Sequence, residues 1–237
     1  EFRRVLFRSC EIQSLTSSHN SGDFFEVGTT TVTYTALDIH GNSISGSFDV
    51  TVSDDENPVI LGLSGDIAST NDAGDCGAVV TWSEPSAIDN CDVQSLTSSH
   101  SSGDFFEVGS TTVTYTALDI HGNEISGSFD VTVSDDENPV ILGLSGDISL
   151  SNDSGDCGAV VTWSEPNALD NCDVQSLTSS HNSGDFFEVG STTVTYTAMD
   201  IHGNMISGSF NVTISDSEAP ILANVPADQV LTNEPGQ

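Results

Sequence analysis

Basic residues are almost missing from this chain. Of 237 residues, three are Lys or Arg and 36 are Asp or Glu, for a formal net charge of −33. The three, Arg3, Arg4 and Arg8, all precede Cys10. Phosphate recognition runs on Lys and Arg, so the composition argues against nucleic acid as a partner. An anionic membrane surface is disfavoured for the same reason. No apolar run approaches the ~18 residues of a membrane-spanning helix, so no membrane insertion is expected. Nor does any segment sustain a 3.6-residue period, which leaves no case for amphipathic helices. The five cysteines form no CxxC pair, the spacing a zinc site would need. There is no GxSxG elbow to hold a nucleophile beside any of the six histidines. An enzyme is therefore not expected.

What the chain does have is an internal repeat. Cys10, Cys91 and Cys172 recur at a period of 81, as do Tyr34, Tyr115 and Tyr196, and Cys76 recurs as Cys157. Residues 10–71 and 91–152 differ at only eight of 62 positions. A period of this size points to a string of domains, because solenoid coils are smaller. Residues 1–9 (EFRRVLFRS) match neither the composition nor the register of the rest and read as a non-native segment. The remainder divides into a partial repeat at 10–56, two complete repeats at 57–137 and 138–218, and the start of a further one at 219–237. Both ends fall inside a repeat, the expectation for a window on a longer array. The joins are Asp54-Asp55-Glu56-Asn57-Pro58, Asp135-Asp136-Glu137-Asn138-Pro139 and Asp216-Ser217-Glu218-Ala219-Pro220. They are short, and each is stiffened by its proline.

Within a repeat the pattern is β. Residues 112–117 alternate, with Val113, Tyr115 and Ala117 on one face, and residues 129–133 place Phe129, Val131 and Val133 together. Residues 77–82 form a third strand, and 59–63, 66–68 and 93–97 form weaker ones. Gly103-Asp104 and His121-Gly122-Asn123 carry turn chemistry. Six or seven short strands in about 80 residues predict an all-β fold: tandem immunoglobulin-like antiparallel β-sandwich domains in an elongated array.

Cys76 precedes Cys91 by 15 residues, and Cys157 precedes Cys172 by the same interval. The simplest pairing stays within each repeat, Cys76–Cys91 and Cys157–Cys172, and implies an oxidising compartment. The alternative is free buried thiols. Cys10 is left over.

Several strings resemble the hyalin repeat (HYR) domain family. They are Gly-Asp-Cys-Gly-Ala-Val-Val-Thr-Trp-Ser-Glu-Pro at 74–85, Ala-Ile-Asp-Asn-Cys at 87–91, Gly-Ser-Thr-Thr-Val-Thr-Tyr-Thr-Ala at 109–117 and Asp-Ile-His-Gly-Asn at 119–123. All recur, with small swaps, one period later. The resemblance implies an immunoglobulin-like fold and extracellular tandem arrays tied to adhesion. Repeats of this family often carry a second cysteine pair; here Gly62-Leu63 and Gly127 stand at about those places.

The leading functional candidate is calcium, a hard cation that takes carboxylate and amide oxygens. Asp54, Asp55, Glu56 and Asn57 cluster at one join and Asp135, Asp136, Glu137 and Asn138 at the next; Asp72, Asp75, Asp89, Asp92 and Asp119 are further acids that could converge. The bland reading is a solvated acidic turn. Phe105-Phe106 and Phe186-Phe187 (with Phe24-Phe25 in the partial repeat) point adjacent rings to opposite faces of a strand, so one ring of each pair is a candidate interface. Packing under a loop is the alternative. Asn152 and Asn211 head N-glycosylation sequons. The two histidine registers, His19/His100/His181 and His40/His121/His202, read as turn or surface residues.

The expected function is a structural or adhesive extracellular fibre of disulfide-stapled repeats, self-associating into filaments and stiffened by calcium. The competing reading is a cell-surface adhesin or receptor ectodomain that binds a ligand or carbohydrate, with matrix components or glycans as partners.

Overall fold

The computed structural model describes residues 11–228 and 231. The non-native reading of residues 1–9, the unpaired Cys10 and most of the tail beyond 228 lie outside these residues. All regular structure among them is β. The first repeat contributes β1 (Ile12–Ser17), β2 (Gly28–Asp38) and β3 (Ser43–Val52). The second contributes β4 (Val59–Leu61), β5 (Ile67–Thr70), β6 (Gly77–Val79), β7 (Ser86–Ile88), β8 (Val93–Ser98), β9 (Phe105–Glu107), β10 (Gly109–Asp119) and β11 (Glu124–Ser134). The third contributes β12 (Val140–Leu142), β13 (Ile148–Ser151), β14 (Gly158–Val160), β15 (Asn167–Leu169), β16 (Val174–Ser179), β17 (Phe186–Glu188), β18 (Gly190–Asp200) and β19 (Met205–Ser215).

The described residues pack into two compact units. One holds those up to Ser64 with Ser83–Ser101 and Val113–Phe129; the other holds Gly65–Trp82, Ser102–Thr112 and those from Asp130 onward. The third repeat lies wholly in the second unit and shows the sandwich. Its larger sheet has the order β13-β19-β18-β16. The long hairpin β18–β19 pairs antiparallel from Gly190↔Ile214 to Met199↔Met205. Its opposing layer is made of two short antiparallel pairs, β12–β15 and β14–β17. One pairing departs from the antiparallel expectation: β13 runs parallel to β19, with Ile148 opposite Val212.

The core follows from the alternation. Val194 and Tyr196 of β18 and Phe210, Val212 and Ile214 of β19 meet Ala159, Val161 and Phe187 from the other layer, all essentially buried. Trp163 lies edge-on to Phe210 and Phe187, with ring centroids 5.3 and 6.0 Å away. Its Nε1 donates to the Tyr196 hydroxyl at 2.7 Å, and that hydroxyl donates to the Glu165 carboxylate. The polar tips of two core aromatics are thereby satisfied.

The second repeat shows the same pairings. In the first unit β8 pairs antiparallel with β10, and β4 with β7. In the second unit β5 runs parallel to β11, and β6 pairs antiparallel with β9. The faces assigned from the alternation are buried: Val113, Tyr115 and Ala117, and likewise Phe129, Val131 and Val133.

The disulfide differs from expectation. Cys76 pairs with Cys172, 96 residues away, with the Cα atoms 4.8 Å apart. The within-repeat pairs Cys76–Cys91 and Cys157–Cys172 are not formed, and Cys91 and Cys157 are free thiols. The bond thus joins a cysteine of the second repeat to one of the third, both inside the second unit. The local cause is a backbone anchor: Asn171 Nδ2 donates to the carbonyl of Asp75 at 3.0 Å, which brings Cys172 beside Cys76. Glu137 adds a second tie, accepting the Gly74 N–H at 3.1 Å.

Candidate functional site

The Asp-Ile-His-Gly-Asn string is a built turn. Asp200 is fully buried, and its Oδ1 accepts the backbone N–H groups of His202, Gly203 and Asn204 at 2.8, 2.6 and 2.9 Å. Its Oδ2 accepts Asn204 Nδ2 at 2.7 Å. Gly203 supplies the turn's positive φ, +96°. Asp119 does the same for His121, Gly122 and Asn123, and is also fully buried.

Each turn is then brought to a junction acid. Asn204 Nδ2 donates to the Asp135 carbonyl at 3.3 Å, and Asn123 Nδ2 to the Asp54 carbonyl at 3.3 Å. A third carboxylate arrives from the Asp-Asn-Cys segment, where Asp170 Oδ2 accepts the Cys172 N–H at 2.9 Å and Asp89 Oδ2 accepts the Cys91 N–H at 2.8 Å. The result is two carboxylate triads, Asp135/Asp170/Asp200 in the second unit and Asp54/Asp89/Asp119 in the first. In each, one oxygen per residue lies within 4.8 Å of the others. The side chains of Asp135 and Asp54 are 0% and 3% exposed. Asp170 Oδ1, Asp135 Oδ2 and Asp89 Oδ1 are buried and accept no hydrogen bond.

Two charges at this separation repel by about 3–4 kcal/mol at an effective dielectric constant near 20. The electrostatics divide the triad. Burial pushes the Asp170 carboxyl above the ordinary 3.8, and the charges of Asp200, Asp135 and Glu137 add to the push against one opposing N–H from Cys172. Burial also acts on Asp200, but the bonds from the Asn204 side chain, then its backbone, His202 and Gly203 prevail and hold that carboxyl below 3.8. A histidine borders each triad, with His202 Nδ1 3.3 Å from Asp135 Oδ2 and His121 Nδ1 3.1 Å from Asp54 Oδ2. Burial, then the neighbouring Asp54, raises the Cys91 thiol above its usual 9.0.

Only part of each junction run reaches these triads. Asp54 and Asp135 do. Asp55, Asn57, Asp136 and Asn138 are exposed, Glu56 accepts Asn90 Nδ2 at 3.0 Å, and Glu137 holds Gly74. Of the further acids, Asp89 and Asp119 converge with Asp54. Asp72 instead caps the Val79 N–H at 2.9 Å. Asp170 and Asp200 are one period beyond Asp89 and Asp119, so the register points to them.

The phenylalanine pairs split as the strand geometry requires. Phe106 and Phe187 are 3% exposed, whereas Phe105 and Phe186 are half exposed beside Val79 and Val160, which face them across the β6–β9 and β14–β17 pairs. Asn152 is engaged: its Nδ2 donates to the carbonyls of Asp156 and Asp153 at 3.0 and 3.4 Å, and its Oδ1 accepts the Ser217 N–H. Asn211 is exposed on β19.

Tandem β-sandwiches carrying a buried acidic triad at successive junctions define the class of this chain. The HYR domain model matches residues 5–52, 53–133 and 134–214, and the chain belongs to that family. The first match begins within residues 1–9. Hyalin of Strongylocentrotus purpuratus is 39% identical over 236 residues, covering 95% of this chain and 20% of that protein. Hyalin of Lytechinus variegatus is 40% identical over 226 residues, covering 92% of this chain and 43% of that protein. The chain thus spans from a fifth to less than half of these relatives. Among solved structures, a protocadherin gammaB7 EC3-6 cis-dimer aligns over 80% of this chain and 59% of its own at 20% identity, with a TM-score of 0.32. No helix among the described residues is long and apolar enough to cross a membrane.

Proposed function

We propose that this chain is a structural and adhesive element acting outside the cell, a non-enzymatic array whose repeats are held in series and self-associate into filaments. The observation that carries this reading is the covalent tie between consecutive repeats, Cys76–Cys172, reinforced by the Asn171–Asp75 and Glu137–Gly74 hydrogen bonds. Such ties suit a load-bearing role better than a mobile receptor. A disulfide also belongs in an oxidising, extracellular setting. Calcium at the acidic junctions would stiffen the array by neutralising a chain of net charge −33. The half-exposed Phe105 and Phe186, with Val79 and Val160, supply a repeated apolar surface for lateral contact between copies or with matrix components.

Electron microscopy of the material with calcium, after chelation, and after reduction tests the proposal. Regular filaments with a domain-sized step are expected, softened or dissolved by chelation. Isolated flexible beads under every condition would overturn it and move the weight to the ligand- or glycan-binding adhesin.

A further inference from the structure

The chain has no Lys or Arg after Arg8, so nothing cationic in the protein except histidine can answer a buried group of carboxylates. We infer that each buried triad, Asp135/Asp170/Asp200 and Asp54/Asp89/Asp119, is a binding site for one hard divalent cation of the calcium type. The inference deepens the junction-calcium reading above and rests on it for the identity of the ion. It moves the ion from the exposed run of each join to three aspartates drawn from separate parts of the repeat.

Three observations carry it. The triad oxygens converge within 4.8 Å, close enough for a single ion to touch all three. One oxygen of each triad is orphaned: Asp170 Oδ1 and Asp89 Oδ1 are buried and accept no hydrogen bond, while Asp135 Oδ2 and Asp54 Oδ2 each face a histidine Nδ1, at 3.3 and 3.1 Å. Buried carboxylate oxygens without donors are costly unless a cation meets them. Last, the arrangement occurs twice, on equivalent residues in separate units. The donors of each triad are oxygens, which favours a hard cation, although Asp54 groups equally closely with Cys91 and His121. An open recess lined by Glu137, Val140, Leu142, Leu169, Asp170 and Asn171 lies beside Asp170.

The fixed oxygens of Asp119 and Asp200, each locked by backbone N–H groups, would seat the ion. Asp89 and Asp170 hold theirs through one N–H only and keep an oxygen unengaged, so these two residues are the ones to vary. Asp→Asn keeps the acceptor for the Cys91 and Cys172 N–H groups and so preserves the local fold.

The test is isothermal titration of chelator-treated, disulfide-intact chain with calcium chloride, repeated with magnesium chloride. The variants are Asp89→Asn with Asp170→Asn, and, as the comparison, Asp55→Asn with Asp136→Asn in the exposed run. Thermal midpoints without metal confirm that both fold. The expected result is two ions per chain, with affinity reduced by at least ~10-fold in the triad variant, the scale on which metal sites respond to lost supporting groups, and unchanged in the run variant. Loss in the run variant alone would overturn the triad site and leave junction calcium standing. Equal binding by all chains would mean diffuse screening and overturn the proposal. Absence of saturable binding to the wild-type chain would remove both ion readings while leaving the disulfide-joined array untouched.

Discussion

Leu144 stands in the space that a side chain on Gly208 would need: its Cδ2 lies 2.8 Å from where a Cβ would be, and Leu63 and Gly127 repeat the relationship at the same distance. These are about the places at which the resemblance to hyalin repeats implies a second cysteine pair. A leucine packed over a glycine does the joining here, so the contact is van der Waals and not covalent. The obstacle is the tip of a partly buried leucine that can turn aside, so Gly208→Ala should lower stability by about 1 kcal/mol, the low end of overpacking costs. Urea denaturation measures it. Combining it with Leu144→Ala should cost less than the two single changes summed, because the clash disappears.

Proteolysis can read the disulfide directly. Cleavage after Glu, with Glu84-Pro85 and Glu165-Pro166 resistant, leaves residues 57–107 and 138–188 as separate peptides. Without reductant they should appear as one linked species in mass spectrometry. Pairing within each repeat would give two unlinked peptides. Reduction should cost about 4–5 kcal/mol on the chain-entropy model for a loop of this size, given the 96-residue separation.

Alkaline pH should expose the Tyr196 network. Burial, then the bond to Glu165, holds this phenol above the usual 10.0. A group whose folded pKa is raised contributes stability that is complete below the unfolded value and lost as pH rises through the folded one. The Tyr196 contribution should therefore hold to about pH 10 and be lost above it, after the earlier decline that the raised Cys91 thiol sets from about pH 9. Tyr196→Phe should flatten the later loss, and a chemical-denaturation series across pH would show it. An unaltered decline would mean that another group governs the alkaline limb.

Acid acts in the opposite sense on the Asp38 turn. Hydrogen bonds from the Asn42 side chain, then its backbone, hold this carboxyl below 3.8. The stability it lends is present above 3.8 and lost as pH falls through its lower folded value. Carboxyl chemical shifts followed by NMR should place its midpoint below those of exposed aspartates, and Asn42→Ala should bring it back.

If the chain is N-glycosylated, Asn211 should carry the glycan and Asn152 should not. A glycan on Asn152 Nδ2 would sacrifice the bonds to Asp153 and Asp156, whereas Asn211 is exposed. Intact glycopeptide mass spectrometry distinguishes the two, and occupancy of Asn152 alone would contradict the structural ordering.

The long strands β10, β11, β18 and β19 were legible because each buries one face, so a period of two is written into Val113, Tyr115 and Ala117. The three-residue strands β7 and β9 were not: β4 and β6 are as short but sit within the apolar runs at 59–63 and 77–82, whereas Ser86–Ile88 and Phe105–Glu107 have polar and turn residues close on both sides. The parallel course of β5 beside β11 left no mark either; its pairing is between residues 64 apart, such as Ile67 and Val131.

The disulfide was misread for a reason internal to repetition. Cys91 and Cys172 occupy the same register, so spacing alone cannot say which copy answers Cys76. The deciding contact, Asn171 on the Asp75 carbonyl, is a three-dimensional fact. The triads were half visible: acids at a join suggested an ion, but the run of four concealed that only its first member turns inward. Asp170 and Asp200 lie 35 and 65 positions from Asp135, too far for any local motif to unite them.

A bond between Cys76 and Cys172 also decides how the chain would lengthen under tension. Force entering at one end passes along the backbone to Cys76, crosses the sulfurs and leaves from Cys172. The intervening residues, most of a 96-position separation, carry none of it. Were the bond cut, that hidden segment could extend by roughly 300 Å at ~3.3–3.6 Å per residue. The length such a strand could yield is thus governed by one bond: while it holds, the segment between the cysteines is shielded from load, and once it is cut that segment can be drawn out when its sandwich unfolds.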